Sequence, residues 1–100
     1  MITSKQRAYL RSMSNKLEPV FHIGKGGVTP EFIDEISKVL EARELIKINI
    51  LDNCMLETRQ AATLVAERTR SDVVQVIGNR FIIYKPAKKP VIELPKVKKG

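Results

Sequence analysis

The sequence predicts a single compact α/β domain in the order α-β-α-β-α-β-β, with a mixed four-stranded sheet. Three observations carry that expectation. Apolar residues recur at helical spacing in three stretches, residues 3–16, 30–42 and about 56–69. Short runs rich in Val, Ile and Phe stand between and after them, at 20–23, 45–51, 73–77 and 81–84. A chain of 100 residues is long enough to bury one core without staples and too short for two.

The first helix should begin at Thr3, which forms a capping box with Gln6, and run to about Lys16. Tyr9, Leu10, Met13 and Leu17 make its apolar side, with Lys5, Arg7, Arg11 and Lys16 around the rest. Pro19 ends it, and Val20-Phe21-His22-Ile23 reads as a strand. Thr29 is a good N-cap for the second helix. Pro30 suits its first position, because proline lacks the N–H that would go unpaired there. Phe32, Ile33, Ile36, Val39 and Leu40 then form one buried stripe, leaving Glu31, Asp34, Glu35 and Glu41 outside.

The second strand alternates, Ile46, Ile48 and Ile50 against Lys47 and Asn49, until Asp52-Asn53 breaks it. From the third helix, Ala61, Leu64, Val65 and the stem of Arg68 should face inward. Gly78-Asn79 fits a two-residue type II′ turn between the last two strands. Strand–helix–strand units of this length imply parallel pairs with right-handed crossovers, and the closing hairpin adds an antiparallel edge. Residues 1–86 make the expected domain. Residues 87–100, rich in Lys and Pro, read as a mobile tail in which 91–94 could dock as an edge strand.

Residues 23–30, Ile-Gly-Lys-Gly-Gly-Val-Thr-Pro, hold three of the five glycines and join the first strand to the second helix. Glycines let a backbone turn sharply and approach a ligand closely, and a helix N-terminus favours an anion. Lys25 adds a positive charge at the tip. The spacing is not that of a nucleotide-hydrolysing P-loop, nor of a dinucleotide fingerprint, whose sixth position is here Thr29. What remains is Gly24-Lys25-Gly26-Gly27. It is either a GxxG loop of the kind that clamps single-stranded nucleic-acid backbone in KH domains, or a tight turn without a ligand. Glu31 would compete with a phosphate at the helix start, so the loop amides and Lys25 would carry more of the contact.

The net charge of +7 favours polyanionic partners. It is unevenly placed. Lys5, Arg7, Arg11, Lys16 and Lys25 face only Glu18 in residues 1–30, whereas 31–57 carry more acids than bases. The pattern points to one basic and one acidic side, or to chance patterning of solvated faces. The single cysteine, Cys54, excludes an internal disulfide and a CxxC metal knuckle, which suits a reducing cytosol. With no charged-then-apolar leader and no apolar run of membrane-spanning length, a cytoplasmic place is expected, away from membranes.

Several stretches together resemble the CRM domain, most closely its stand-alone bacterial, YhbY-type members. They are the basic first helix, residues 20–29 with Gly24-Lys25-Gly26-Gly27, and Glu44-Leu45-Ile46-Lys47-Ile48. Ala61-Ala62-Thr63-Leu64-Val65-Ala66 and Val74-Gln75-Val76-Ile77-Gly78 complete them, in the same order. The resemblance covers residues 2–86. It implies an RNA-binding module with a fold similar to the C-terminal domain of bacterial translation initiation factor 3. Stand-alone members are associated with precursors of the large ribosomal subunit, and plant relatives with intron splicing. Precursor ribosomal RNA and ribosomal particles are therefore the implied partners, for a chain expected to be monomeric. The family's GxxG loop falls on Gly24, Lys25, Gly26 and Gly27, and its basic surface includes the first helix with Lys5, Arg7 and Arg11. Thr29, at the next helix start, joins the candidate RNA-binding residues. The Lys-rich tail is not required by the family pattern.

Catalysis needs a constellation, and the sequence offers only single candidates. His22 on a short apolar strand reads as a structural or surface histidine, though two residues from Gly24 it could contact RNA. Cys54 reads as a small apolar filler, and Asp52 and Glu57 are paired only in sequence. No enzyme, cofactor or metal is expected. Phe21, Phe32 and Phe81 read as core, so backbone and shape recognition should outweigh base stacking. The rival from another class is a protein–protein adaptor that docks an acidic partner on the same basic faces.

Overall fold

The computed structural model describes residues 2–88, Ile92 and Leu94. The first helix, α1 (Ser4–Ser14), starts where the capping box expects. Gln6 N–H donates to Thr3 Oγ1 at 3.1 Å and Thr3 N–H to Gln6 Oε1 at 3.0 Å. It ends two residues early, its exit tightened by Leu17 N–H donating to the Ser14 carbonyl at 3.0 Å. Then follow β1 (Pro19–Ile23), α2 (Pro30–Arg43), β2 (Leu45–Ile50), α3 (Thr58–Thr69), β3 (Asp72–Ile77) and β4 (Arg80–Tyr84). The order of elements is the expected one.

The sheet runs β1-β2-β4-β3, with β1 and β2 parallel and the other two pairs antiparallel. Only one parallel pair forms, where the strand–helix–strand pattern implied more, and the hairpin does not simply add an outer strand. The reason lies in β4. Phe81, Ile82, Ile83 and Tyr84 are all buried, so both faces of that strand need cover and it belongs in the sheet's interior. β3 carries Asp72, Gln75 and an exposed Ile77, and takes the edge. The hairpin turn has Gly78 at φ 57° with Asn79 outside the left-handed region, the sign pattern of type II′.

Helices cover the two faces unequally. On one, α2 and α3 pack Ile36, Leu40, Ala61, Ala62, Val65 and Ala66 against Ile23, Ile46, Ile48, Ile50, Phe81 and Ile83. The α2 stripe has the expected phase. In α3 the inward residues are Ala61, Ala62, Val65, Ala66 and Thr69, while Arg68 is exposed, so the expected phase was rotated. Small alanines let this helix come close to the sheet. On the other face α1 is the one helix, setting Leu10 and Met13, with Leu17 just past its end, on Leu45, Val74, Ile82 and Tyr84. Tyr9, expected on its apolar side, is 40% exposed.

β1, β2 and β3 run one way and β4 the other. One end of the sheet therefore gathers the glycine loop, residues 51–57 and the 78–79 turn. Hydrogen bonds tie this end together: Leu51 N–H donates to the Ile23 carbonyl at 2.8 Å and Ile50 N–H to the Asn79 carbonyl at 2.6 Å.

At the opposite end Glu44 closes α2 with φ 66° and is fully buried. Its carboxylate accepts from Ala87 N–H at 2.9 Å and Ile92 N–H at 2.8 Å. Ile92 and Leu94 pack on the α1 side of the core, and neither is in a strand. Val91 and Glu93, the rest of the expected edge strand, lie outside the described residues.

Candidate functional site

The glycine loop is a closed turn. Gly27 N–H donates to the Gly24 carbonyl at 3.0 Å, which leaves Lys25 and Gly26 at the tip, both exposed. No described residue takes a hydrogen bond from the Lys25 or Gly26 amide. Both central residues have negative φ and Gly27 follows at φ 66°, which fits a type I turn closed by a left-handed glycine.

The three glycines have different reasons to be glycine. A Cβ on Gly24 would lie 3.2 Å from Leu51 Cδ1 and 3.3 Å from Asn53 Oδ1, a tight fit that asks these two side chains to give by a few tenths of an ångström. At Gly27 the positive φ disfavours any L side chain. Gly26 is different: a Cβ there meets nothing within 4 Å, and its φ is not left-handed. Nothing in the fold demands a bare backbone at the tip.

The turn leads into the N-terminus of α2. Thr29 Oγ1 accepts from Phe32 N–H at 3.1 Å and Ile33 N–H donates to the Thr29 carbonyl at 3.0 Å, a regular N-cap. Thr29 is exposed, but its oxygen is already committed as an acceptor, leaving the hydroxyl hydrogen for a ligand. Glu31 is exposed in the first turn and opposes an anion on the helix axis. Arg68, expected to bury its stem, instead lines a small cavity of about 130 Å³ with Val28, Thr29, Pro30, Ile33 and Leu64. It adds a cation beside the helix start that the sequence did not assign there.

Lys5, Arg7 and Arg11 are exposed on α1. They are not gathered at the glycine turn. α1 lies on the face away from α2, and its partners Leu45 and Tyr84 stand at the far ends of their strands. Between α1 and the turn, part of that sheet face is open. Cross-strand partners share a face, so the register sets His22, Asn49, Arg80 and Ile77 in one row across all four strands. Asn49 Nδ2 lies 3.2 Å from His22 Nδ1; with the amide as donor, the imidazole proton sits on the outward Nε2. His22 and Arg80 are exposed. Alternation marked Lys47 and Asn49 as outward, but only the register shows Arg80 and His22 in line with Asn49.

Among the described residues no group of three or more His, Cys, Asp or Glu could hold a metal ion. Cys54 is a half-buried free thiol packed against the α2/α3 core. No helix among those residues is long and apolar enough to cross a membrane.

The chain matches the CRS1/YhbY (CRM) domain over residues 2–85. It is 45% identical over 96 residues to the Bacillus subtilis protein named "Probable RNA-binding protein YqeI", covering 95% of this chain and 100% of that one. A Haemophilus influenzae protein named "RNA-binding protein" is 30% identical over 96 residues, covering 95% of this chain and 96% of the other. The solution structure of the hypothetical protein SAV1595 from Staphylococcus aureus has a TM-score of 0.80 at 45% identity, covering 95% of this chain and 100% of that one. With the family match spanning nearly every described residue and the three-helix, four-stranded fold in place, the chain belongs to the CRS1/YhbY (CRM) domain family.

Proposed function

We propose that this protein binds RNA through its glycine turn and works as a binding module, not an enzyme, on precursor ribosomal RNA during assembly of the large subunit. The observation that carries the reading is Gly26. A bare backbone at an exposed tip, with open space around it and no conformational need for glycine, suits close approach by a phosphate backbone. The free amides of Lys25 and Gly26, the Lys25 ammonium and the start of α2 supply the donors. Relatives named for RNA binding support the ligand class. The ribosomal target rests on the family resemblance, and the cytoplasmic place on the single cysteine and the apolar patterning of the sequence.

Two substitutions test the turn. Lys25→Ala removes one exposed cation and should weaken binding to ribosomal RNA fragments by on the order of 1 kcal/mol or less. Gly26→Asp should cost more, because it sets a Cβ and a negative charge where the phosphate would approach, yet the open space leaves the fold intact. A folded Gly26→Asp variant that binds like the wild type would remove the turn from the site. Pull-down of ribosomal particles after nuclease treatment tests the ligand class. Particles retained after complete RNA digestion would favour a protein–protein adaptor.

The C-terminal lysines give a further expectation. Removing residues 95–100 takes away Lys96, Lys98 and Lys99 and leaves the Ala87 and Ile92 amides that donate to Glu44. Melting should not change, while the log–log slope of affinity against salt should fall by roughly 0.7 to 0.9 for each phosphate no longer neutralised. An unchanged slope would make those lysines bystanders. Removing 87–100 strips the Ala87 and Ile92 amides from Glu44 as well, and should lower melting too.

A further inference from the structure

The sheet face beside α1 holds a surface that the glycine turn does not explain. β-strands of a packed sheet normally bury one face and solvate the other or cover it with a helix. Here α1 covers the half around Leu45, Val74, Ile82 and Tyr84, and the half nearest the turn stays open. The side chains placed on that open half are His22, Asn49 and Arg80 in one cross-strand row, with Lys47 and Gln75 each paired to Ile82 in the next. None is a carboxylate. Neither Lys47 nor Arg80 forms an ion pair among the described residues. Ile77 ends the row on the edge strand, 56% exposed, and offers an apolar patch beside the Arg80 guanidinium.

The row starts two residues before Gly24 on the same strand, so it is continuous with the turn. At its other margin Lys47 and Lys16 line one hollow of about 600 Å³ with Glu18 and Arg43, where the chain leaves α1. Among the described residues Glu18 is the one carboxylate lining that hollow. The outer face of α2, by contrast, presents Glu31, Asp34, Glu35 and Glu41, all exposed. The two sides of the molecule therefore differ in sign, and the open sheet half lies on the side of the α1 cations.

We propose that this open half of the sheet is a second contact for the RNA strand held at the glycine turn, with Arg80 and Lys47 taking phosphates and the Asn49–His22 pair meeting a base edge. It rests on the RNA-binding reading above. Charge complementarity names the occupant: a polyanion meets cations and amide donors there and no carboxylate in the row. The strand would run from the turn across β1, β2 and β4 toward the edge at Ile77. Asn49, its amide held to His22, keeps its carbonyl oxygen for a base donor, and the outward Nε2–H of His22 offers a donor of its own.

The test uses the full chain and transcribed fragments of large-subunit ribosomal RNA, with affinity measured across a salt series. Arg80→Ala and Lys47→Ala should each weaken binding several-fold and lower the salt slope by roughly 0.7 to 0.9. Asn49→Ala should weaken binding with the slope unchanged, because it removes no charge. Lys38→Ala, an exposed cation on α2 across the molecule, should change neither. Melting curves check that every variant is folded. If the folded Arg80→Ala/Lys47→Ala double variant binds like the wild type while Gly26→Asp loses affinity, the sheet contact is overturned and RNA binding stands. If Lys38→Ala costs as much as Arg80→Ala, net charge alone explains the loss and the site is overturned. Wild-type protein that binds none of the fragments would overturn both.

Discussion

Ile36→Asp is expected to unfold the domain. Ile36 has 0% relative exposure and lies in the core between α2 and the sheet, among Ile23, Ile46 and Ile48. The substitution removes a buried branched side chain, worth about 2–5 kcal/mol on truncation alone, and adds an unpaired carboxylate away from water. Domains of this size are stable by only about 5–15 kcal/mol, so the sum takes most or all of it. Glu35→Ala, one residue earlier and exposed, should stay within about 0.5 kcal/mol of wild type. Urea titration followed by far-UV circular dichroism reads both. A folded Ile36→Asp protein with wild-type midpoint would contradict the burial of that stripe. Ile36→Ala should fall between them, and because α2 carries the glycine turn on its N-terminus, its loss of binding should track its loss of fold.

Much of this architecture was legible because its signals are local. The Thr3/Gln6 capping box, the Thr29-Pro30 helix start and the Ile46/Ile48/Ile50 alternation each specify an element within a few residues, and each element formed. The strand order was not legible in the same way. The buried run of β4 reads equally as a sheet edge packed by a neighbour or as an interior strand, and only competition with β3 for cover decides it. The phase of α3 was lost for a related reason. Ala61 and Val65 face inward as expected, but Ala62 and Ala66 give a weak apolar signal beside Leu64, so periodicity favoured the larger residue, while packing favoured the smaller ones that let the helix approach. At the site, glycine spacing identified the turn, but not that Gly27 is set by its backbone angle and Gly24 sits close against its neighbours, while Gly26 is under neither constraint. That difference depends on Leu51, Asn53 and one backbone angle. The row through Asn49 and Arg80 depends on strand register and could not be read from either strand alone.

Glu44→Ala is the other substitution expected to have a large effect, and nothing in the local sequence announces it. Glu44 stands in an acidic stretch at a helix end, where a solvated carboxylate would be ordinary. Instead it is fully buried, and its partners Ala87 and Ile92 are 43 and 48 residues away. Its backbone works too: the Glu44 N–H donates to the Leu40 carbonyl at 2.8 Å and its carbonyl accepts from Lys85 N–H at 2.9 Å. Truncation to alanine keeps those backbone bonds and orphans two amides that had charge-assisted partners. We expect a loss of about 3 kcal/mol, with faster amide exchange at Ala87 and Ile92. Glu44→Gly tests the alternative that the φ of 66° is what matters, since glycine removes that strain and the carboxylate together. If Glu44→Ala matches wild type, the two bonds contribute nothing measurable; if only Glu44→Gly does, relief of the backbone strain offsets their loss.

A third readout separates charge from shape. Burial pushes the Tyr84 phenol above its ordinary value of 10.0, and the Glu44 and Asp72 charges push it further. The folded chain thus holds this proton more tightly than the unfolded one. That stability is fully present below about pH 10 and lost as pH rises through the folded value. In Glu44→Ala, still folded, Tyr84 should titrate closer to 10.0 but remain above it, because burial is the larger cause. Ultraviolet titration of the phenolate measures this. A Tyr84 titration identical to wild type would mean that the Glu44 carboxylate is not charged where it lies.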